Sequence, residues 1–563
     1  MSTRNNQPEA EETSDHPRTS SRREFLKDGA LAAAGAAGLG ALASQLDFQR
    51  RSLWAAQPQS AKDTIVVGWE AEMATLDPSK TVCAHELRYD QQIGETMWRL
   101  EGGSAQVKPS LGIRWQASAD GKEWTFTVRP GVKFQDGTPL RAQDIQWTYD
   151  RWMDSKHPYH DPPYGLLQYF LGALDKVEAT NDTTVKFYLK HLDAAFDSNM
   201  IWPHTSVISP TALQKLGKQQ FALKPVCTGP WEVVEWTKGT RLILERYSGH
   251  WGNPPILRRM IIKPIPEDAV RLAQLKTGEV DVIVALPPQF IPDVQGDPNL
   301  KLLRRVGNHV WWLALNMREK PLTDKRVRQA LNYATNKEEI VRDLLKGGAK
   351  VAPGPMMVGS WPEDTELKPY PYDPKKAKQL LEAAGYGSGF NTKFWVPESG
   401  SGMIAPKEIA TLVQAQLKEV GVNVEIATQE WTSYVADYGS VGYAPQGKPG
   451  YGLGEMSWNT PLPDPVHYID PNLKTDAQPP KGFNAGFYSN PEVDRLLTQA
   501  GNTLDHDQRK RLYVQAQKII YDDAPWIFMF SAENLVATRK NIQGLEVNPC
   551  PWWSDFTRTY VQG

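Results

Sequence analysis

The residues of this chain that could do chemistry are dispersed along it. Histidine is scarce, 10 in 563 residues. The nearest approaches to a ligand set are His85 beside Glu86 and the pair His157 and His160, the latter in a proline-rich stretch that reads as a solvated turn. A zinc site needs three or four such donors converging. There is no G-x-G-x-x-G, no G-x-x-x-x-G-K-[ST], no C-x-x-C and no H-E-x-x-H, so the usual nucleotide, redox and metalloprotease devices are missing. The G-x-S-x-G elbow of serine hydrolases is absent too. No D-x-[DN]-x-[DN]-G loop argues for calcium. Asp and Glu pairs abound, but nothing in their spacing sets two of them at the separation glycoside hydrolysis requires. What the chain holds in excess is tryptophan, 20 residues of it, and a tryptophan face suits a sugar ring, a heterocycle or a cation. The expectation from these motifs is no catalytic residue, no metal and no cofactor.

One short motif is sharp. Arg22 and Arg23 stand in Ser21-Arg22-Arg23-Glu24-Phe25-Leu26-Lys27, ahead of an uncharged Ala, Gly and Leu run over 30–46 and the small-x-small triplet Ala41-Leu42-Ala43. The paired arginines resemble a twin-arginine export signal, and the triplet suits signal peptidase. A membrane anchor is the competing reading, but about 17 weakly hydrophobic residues span a bilayer poorly. The expectation is a signal peptide over 1–43 and a linker over 44–63, with the twin-arginine translocase as partner during export. The mature chain is expected to be soluble and periplasmic, and with no cysteine at the cleavage site it is not expected to be lipid-anchored. Cys83, Cys227 and Cys550 are too few and scattered for a disulfide scaffold. A Cys83–Cys227 bridge and three buried thiols both stay open. The net charge of −2 points to no nucleic-acid partner, and length alone implies several domains.

Short strands and helices alternate in the elements that must position any site. Trp124, Phe126 and Val128 alternate with threonines, a half-buried strand that turns at Arg129-Pro130-Gly131 and again at Asp136-Gly137. A helix is expected over 142–153, another over 271–276 stopping at Gly278, and a strand over 280–285. Val327, Ala330, Leu331 and Ala334 form one apolar stripe at helical spacing. Asn336 with Glu339 resembles a capping box for a helix ending at Gly347-Gly348. Asp373-Pro374 opens a helix that Gly385 closes. A strand over 393–396, a helix over 406–420 and the alternating strand of Val422, Val424 and Ile426 make a βαβ unit. The fold class is α/β in the mixed α+β sense.

Four segments in order carry a family resemblance: WTFTVRPGVKFQDGTPL over 124–140; TGPW over 228–231; LNM over 315–317 running into DKRVRQAL over 324–331; and YDPKKAKQLL over 372–381. Together they resemble the family-five solute-binding proteins of ABC transporters, the class that includes dipeptide, oligopeptide and nickel binders. The resemblance implies a two-lobed periplasmic-binding-protein-like fold, with a cleft between lobes joined by two hinge strands. Lobe I would comprise 64–310 plus 531–563, with an inserted subdomain over about 88–208, and lobe II would comprise 311–530. It implies a monomer that captures a small solute (peptide, sugar or conjugate) and delivers it to ABC transporter permease subunits. The alternatives are a true oligopeptide or dipeptide binder, a secreted enzyme and a sensor-only binding protein.

The family's peptide binders place a W-x-x-D strand in the cleft, where the Asp holds the ligand's ammonium. Here Trp458 is kept, but the matching acid reads Pro461, which can neither accept nor donate there. Asp464 matches a nearby D-P and reads first as a turn-former. The family's carboxylate-binding arginine falls near Gly400 in the loop Pro397-Glu398-Ser399-Gly400. Both peptide anchors are thus expected to be missing. The candidate ligand contacts are Trp458, Trp431, Glu398, Asp464 and Thr75, the last from a T-L-D-P turn near the cleft mouth. The Gly/Pro-rich stretch 439–450 reads as a surface insertion or a loop over the ligand.

Overall fold

Two long strands run through the molecule, Leu300–Leu315 and Trp526–Arg539. Both are rich in β-branched, aromatic and leucine residues and buried along most of their length, as a strand covered on both faces must be. They form the middle of an eleven-stranded mixed sheet. On one side lie Val282–Ile283, Thr64–Trp69, Arg259–Pro264, Arg241–Arg246 and Trp231–Thr237; on the other lie Leu453–Asn459, Phe390–Pro397 and Val422–Gln429, and Ala349–Val351 pairs with Trp526–Arg539 off this path. The coordinates are a computed structural model that describes residues 61–81, 84–102, 107–164, 167–400, 402–438, 450–460, 462 and 464–563. Arg22 and Arg23 with the rest of the export signal, Cys83, residues 439–449 and Pro461 lie outside the described residues.

The two long strands change register midway. Val306 pairs with Glu533 and Val310 with Ser531, so Gly307, Asn308 and His309 stand opposite Ala532 alone. A side chain at Gly307 would meet the Ala532 carbonyl oxygen at 2.8 Å, so the close approach of the backbones requires glycine there. A second shift on the other strand leaves Met529 unpaired between the Trp311–Phe530 and Trp312–Phe528 pairs. The two bulges bend the strands at the same level.

Local expectations are met where patterning is strong. Glu123–Val128 buries alternate residues, and it lies inside a separate four-stranded antiparallel sheet with Gly112–Ala117, Thr184–Leu189 and Leu174–Asn181. Helix Ala142–Met153 packs on that sheet. Lys325–Ala334 buries Val327, Ala330, Leu331 and Ala334 completely. Helix Pro374–Ala383 is capped by Asp373, whose carboxylate accepts the Lys376 N–H. Two expectations are corrected. The strand foreseen over 280–285 shrinks to Val282–Ile283, because Ala285 turns to φ 50°. The helix after Asn336 keeps its cap on Glu339 N–H but runs as one α turn, Lys337–Glu339, and then a π turn, Ile340–Leu344. Cys227 and Cys550 are buried thiols.

The T-L-D-P turn is built on an ion pair. Asp77 caps Pro78–Lys80, and both its oxygens face the Arg151 guanidinium at 3.3 and 2.5 Å, with both side chains 2% exposed. Burial alone would raise the Asp77 pKa, but the charge and hydrogen bonds of Arg151 outweigh it and hold the carboxyl below its usual value. The pair's stabilisation is therefore fully present above the unfolded carboxyl pKa of about 3.9 and is lost as pH falls through the lower folded value. Asp77→Ala is expected to cost about 3–5 kcal/mol in denaturant unfolding near pH 7, because it strands a buried arginine. A loss below about 1 kcal/mol would show the pair to be dispensable.

Candidate solute-binding crevice

Three parallel strands converge on one place. Phe390–Pro397 and Val422–Gln429 pair in register from end to end. Leu453–Asn459 joins the other edge of Phe390–Pro397, but only through Phe394–Leu453 and Trp395–Gly454. The first two strands are connected by helix Pro406–Glu419, which packs with Trp311, Phe394 and Val396. The second connection carries helix Trp431–Tyr438, whose Tyr434 and Tyr438 pack with Trp312 and Trp395. Because Trp395 alternates with Phe394 and Val396, the two helices cover opposite faces. The chain order therefore reverses between Phe390–Pro397 and Leu453–Asn459, and ligands of open α/β sheets bind in the crevice beyond the carboxyl ends of strands at such a switch point. The ladder between the two strands ends at Trp395 and Gly454, and loop residues 398–400 and 402–405, Trp431 and 457–460 follow at that end of the strands.

Gly400 has φ 152°, a conformation reserved for glycine, and a side chain there would collide with the Trp431 indole. The tryptophan ring fills the space that a side chain at position 400 would need. Trp431 is itself half-buried and stacks on Tyr434, with centroids 6.2 Å apart and planes at 21°. Trp458 is half-buried and meets Phe483 edge-on at 4.9 Å.

The other face of Leu453–Asn459 presents a polar row. His309 pairs with Asn459 and Trp311 with Ser457, so these side chains share a face. Loop 398–405 lies over them. A Cβ at Gly402 would stand 3.2 Å from Ser457 Oγ and 3.3 Å from both Asn459 Nδ2 and His309 Nε2, and Ser457 Oγ donates to the Gly402 carbonyl at 3.1 Å. Burial pushes the His309 pKa down to about 4, so the imidazole is neutral near pH 7. Two residues deeper, Glu455 is fully buried and neither carboxyl oxygen has a hydrogen-bond partner. Burial, helped by the charge of Glu408, pushes its pKa well up, which keeps it protonated. Glu398 is exposed in the loop.

The comparison that decides the family is a model of bacterial extracellular solute-binding proteins, family 5 (middle), which matches residues 106–480. The chain belongs to that family. The glutathione-binding protein GsiB of Pectobacterium atrosepticum is 33% identical over 517 residues, 90% of this chain and 97% of that protein. Heme-binding protein A of Haemophilus influenzae is 31% identical over 475 residues, 82% of this chain and 85% of its own. The solved structure of HbpA2 from Haemophilus parasuis shares the fold at a TM-score of 0.79 and 28% identity, covering 89% of this chain and 100% of that one. This family-5 protein is the substrate-binding component of an ABC importer, capturing a solute reversibly for a membrane permease.

Of the residues singled out in the sequence of this family-5 protein, Trp431 lies against Gly400, Trp458 packs edge-on to Phe483 and Glu398 is exposed in the loop after Phe390–Pro397. Asp464 is buried and its two oxygens each accept a 2.8 Å bond from Arg509; it also caps the turn that follows. Thr75 uses its hydroxyl to accept the Asp77 N–H in the turn after the first strand. Sequence reasoning passed over His309, Gly402, Ser457 and Asn459. Ser457 and Asn459 flank Trp458 at strand spacing, and Gly400 and Gly402 form a G-x-G after a strand end, so both had a local signal. His309 had none, since only the register of two distant strands brings it here.

Gly400→Ala is expected to lower stability by about 1–3 kcal/mol, the cost of forcing a side chain into that backbone region, plus displacement of the indole. In a Trp431→Ala background the loss should be smaller by at least about 0.5 kcal/mol, the mark of two residues in contact. Equal losses in both backgrounds would mean that Trp431 is not what occupies the anchor's place.

Proposed function

We propose that this importer component takes a small peptide-like conjugate or another flat-faced polar solute, and not a free α-dipeptide. The observation that carries this is the Gly400–Trp431 contact: where the family resemblance calls for an arginine, a ring occupies the side-chain space. Besides Trp431, the crevice wall offers Trp458, while the neutral Ser457, Asn459 and His309 lie on the opposite face of the same strand beneath Gly402. A ligand there is gripped chiefly by stacking. A relative named for glutathione, matched over 97% of its length, supports the same class. Another relative, the dipeptide-binding protein of Escherichia coli, keeps the ordinary peptide alternative in view at 30% identity.

Capture on this reading is lobe closure about the paired bulges at 306–310 and 529, with lobe I over 64–310 plus 531–563 and lobe II over 311–530. The separation of the apolar clusters supports that division: those built on Ile65, Trp231 and Val282 stay on one side, and those built on Leu331, Val413 and Tyr468 on the other. Within lobe I, the cluster around Phe126 and Tyr149 supports an inserted subdomain over about 88–208. Export by the twin-arginine route to the periplasm as a soluble monomer without catalytic activity completes the reading. The S-R-R-x-F-L-K motif supports the route, and among the described residues no helix is long and apolar enough to cross a membrane.

The test is a thermal-shift screen of the mature protein against free dipeptides, glutathione, longer peptides, oligosaccharides, amino-acid–sugar conjugates and divalent metals. A ligand at a hundred times its Kd adds about 2.7 kcal/mol of stability. Shifts are expected from conjugates or flat-faced solutes and not from free dipeptides. Trp458→Ala should then weaken the best hit about tenfold or more, the loss of roughly 1.4 kcal/mol of stacking. Strong shifts by free dipeptides, or an unchanged Kd in Trp458→Ala, would overturn the assignment.

A further inference from the structure

Away from the crevice, two parts of the chain separated by about three hundred residues are bolted together by a small set of directed contacts. One part is 193–202, which follows the last strand of the four-stranded sheet, Thr184–Leu189. The other is made of His467, Leu462 and helices Pro491–Gly501 and His506–Asp523. Ala194 N–H donates to the Gly501 carbonyl at 3.0 Å. Arg509 Nη1 reaches the Ala194 carbonyl at 3.4 Å while the same guanidinium holds both oxygens of Asp464. The side chain of Asn199 lies 2.7 Å from His467 Nε2 through its Oδ1. Its Nδ2 donates to the Phe170 carbonyl and to Asp193, so the Asn199 oxygen faces the histidine and Nε2 must be the donor. The His467 ring stands edge-on to Phe170 at 5.8 Å and to Trp202 at 6.2 Å, and Leu462 packs against the core of the four-stranded sheet.

We infer that these residues form a clasp that holds the lobes together and positions the cleft wall: His467 on Asn199, and Arg509 tying Ala194 to Asp464. The inference rests on the two-lobe reading above and adds to it a protein-borne share of closure. Asp464 follows the Trp458–Thr460 wall by a few residues, so Arg509 connects that wall to a backbone carbonyl of the opposite lobe. Arg509 is 2% exposed and lies over the Trp361 and Tyr513 rings, so it is a fixed strut and not a mobile surface charge. The His467–Asn199 bond is buried in an aromatic frame, and burial lowers the histidine's pKa, which keeps it a neutral donor. Opening the lobes would break this bond, expose the edge of Trp202 and leave Arg509 with one partner fewer. His467 and Arg509 are thus positioning residues: they set the balance between the docked and opened lobes, and with it the rate at which a solute leaves.

The experiment uses the mature protein with Asn199→Ala, His467→Ala and the double substitution. It reads small-angle scattering and amide exchange at Ala194, whose N–H bridges to Gly501. The expected result is a larger radius of gyration and at least tenfold faster Ala194 exchange in each single variant. The double variant should be no worse than the more affected single one, because both remove the same bond. His467→Gln, which keeps an amide donor, should restore most of the wild-type scattering even if the alanine variants fold poorly. Unchanged scattering and unchanged Ala194 exchange in the folded single variants would overturn the clasp. If in that event a solute hit still contracts the wild-type protein, two-lobe capture stands and only the clasp falls; if no solute contracts it, both fall.

Discussion

Strands Leu300–Leu315 and Trp526–Arg539 are hydrogen-bonded to each other on both sides of a shared bend, and the rest of the molecule is attached to one half or the other. A paired strand cannot slip by one residue without sending its buried side chains to the wrong face. The pairing therefore fixes two sheets' worth of register at once, with Trp311 stacked on Phe530 and Trp312 on Trp526 beyond the bend. The bend itself is made by Gly307 and by residues displaced from the ladder with Trp526–Arg539, not by a loop. Gly307 is forced by the approach of the Ala532 carbonyl, and its neighbours Asn308 and His309 are what the bulge turns out of the ladder.

That constraint explains why the crevice lies where it does. His309 is at once a bulge residue and the cross-strand partner of Asn459. Any change of angle at the bulge must move the wall formed by Ser457, Trp458 and Asn459, and through Gly402 it must move loop 398–405 as well. The pairing between Phe390–Pro397 and Leu453–Asn459 ends early, so the loops beyond it can vary without disturbing the sheet. On the proposed reading recognition rests on rigid strand ends, with Gly400 and Gly402 letting the loop lie close to them. Glu455 is the outlier in this arrangement: a buried carboxyl with no partner costs stability, and within this fold it is tolerated only in its protonated form.

Much of this was legible from residue patterns. Strict alternation announced Glu123–Val128, helical spacing announced Lys325–Ala334, and Asp373-Pro374 announced the helix that follows, because each element's local preference agrees with its burial. The mixed α/β class followed from the alternation of strand and helix patterns, and the family from four segments in order. What could not be read locally were the consequences of long-range register. Asp464 looked like a candidate ligand contact with a turn-forming role; only the fold brings Arg509 to both of its oxygens. The conjunction of His309 with Gly402 and Asn459, and of His467 with Asn199, joins residues 93 to 268 positions apart, where sequence spacing carries no signal. Gly400 reads as a glycine from the sequence, but the reason it must be small, the Trp431 ring standing where a Cβ would go, is a matter of packing.

The central claim is that solute is held at the carboxyl ends of the three parallel strands and that the bulge of the long strands answers its arrival. The most direct measurement is hydrogen exchange of the mature protein with and without the best solute from the screen. The account predicts slowed exchange concentrated in 398–405, 430–434 and 457–460, with a further change at 306–310 where the strands bend. Protection confined to some other surface, with 457–460 and 306–310 unchanged, would contradict it.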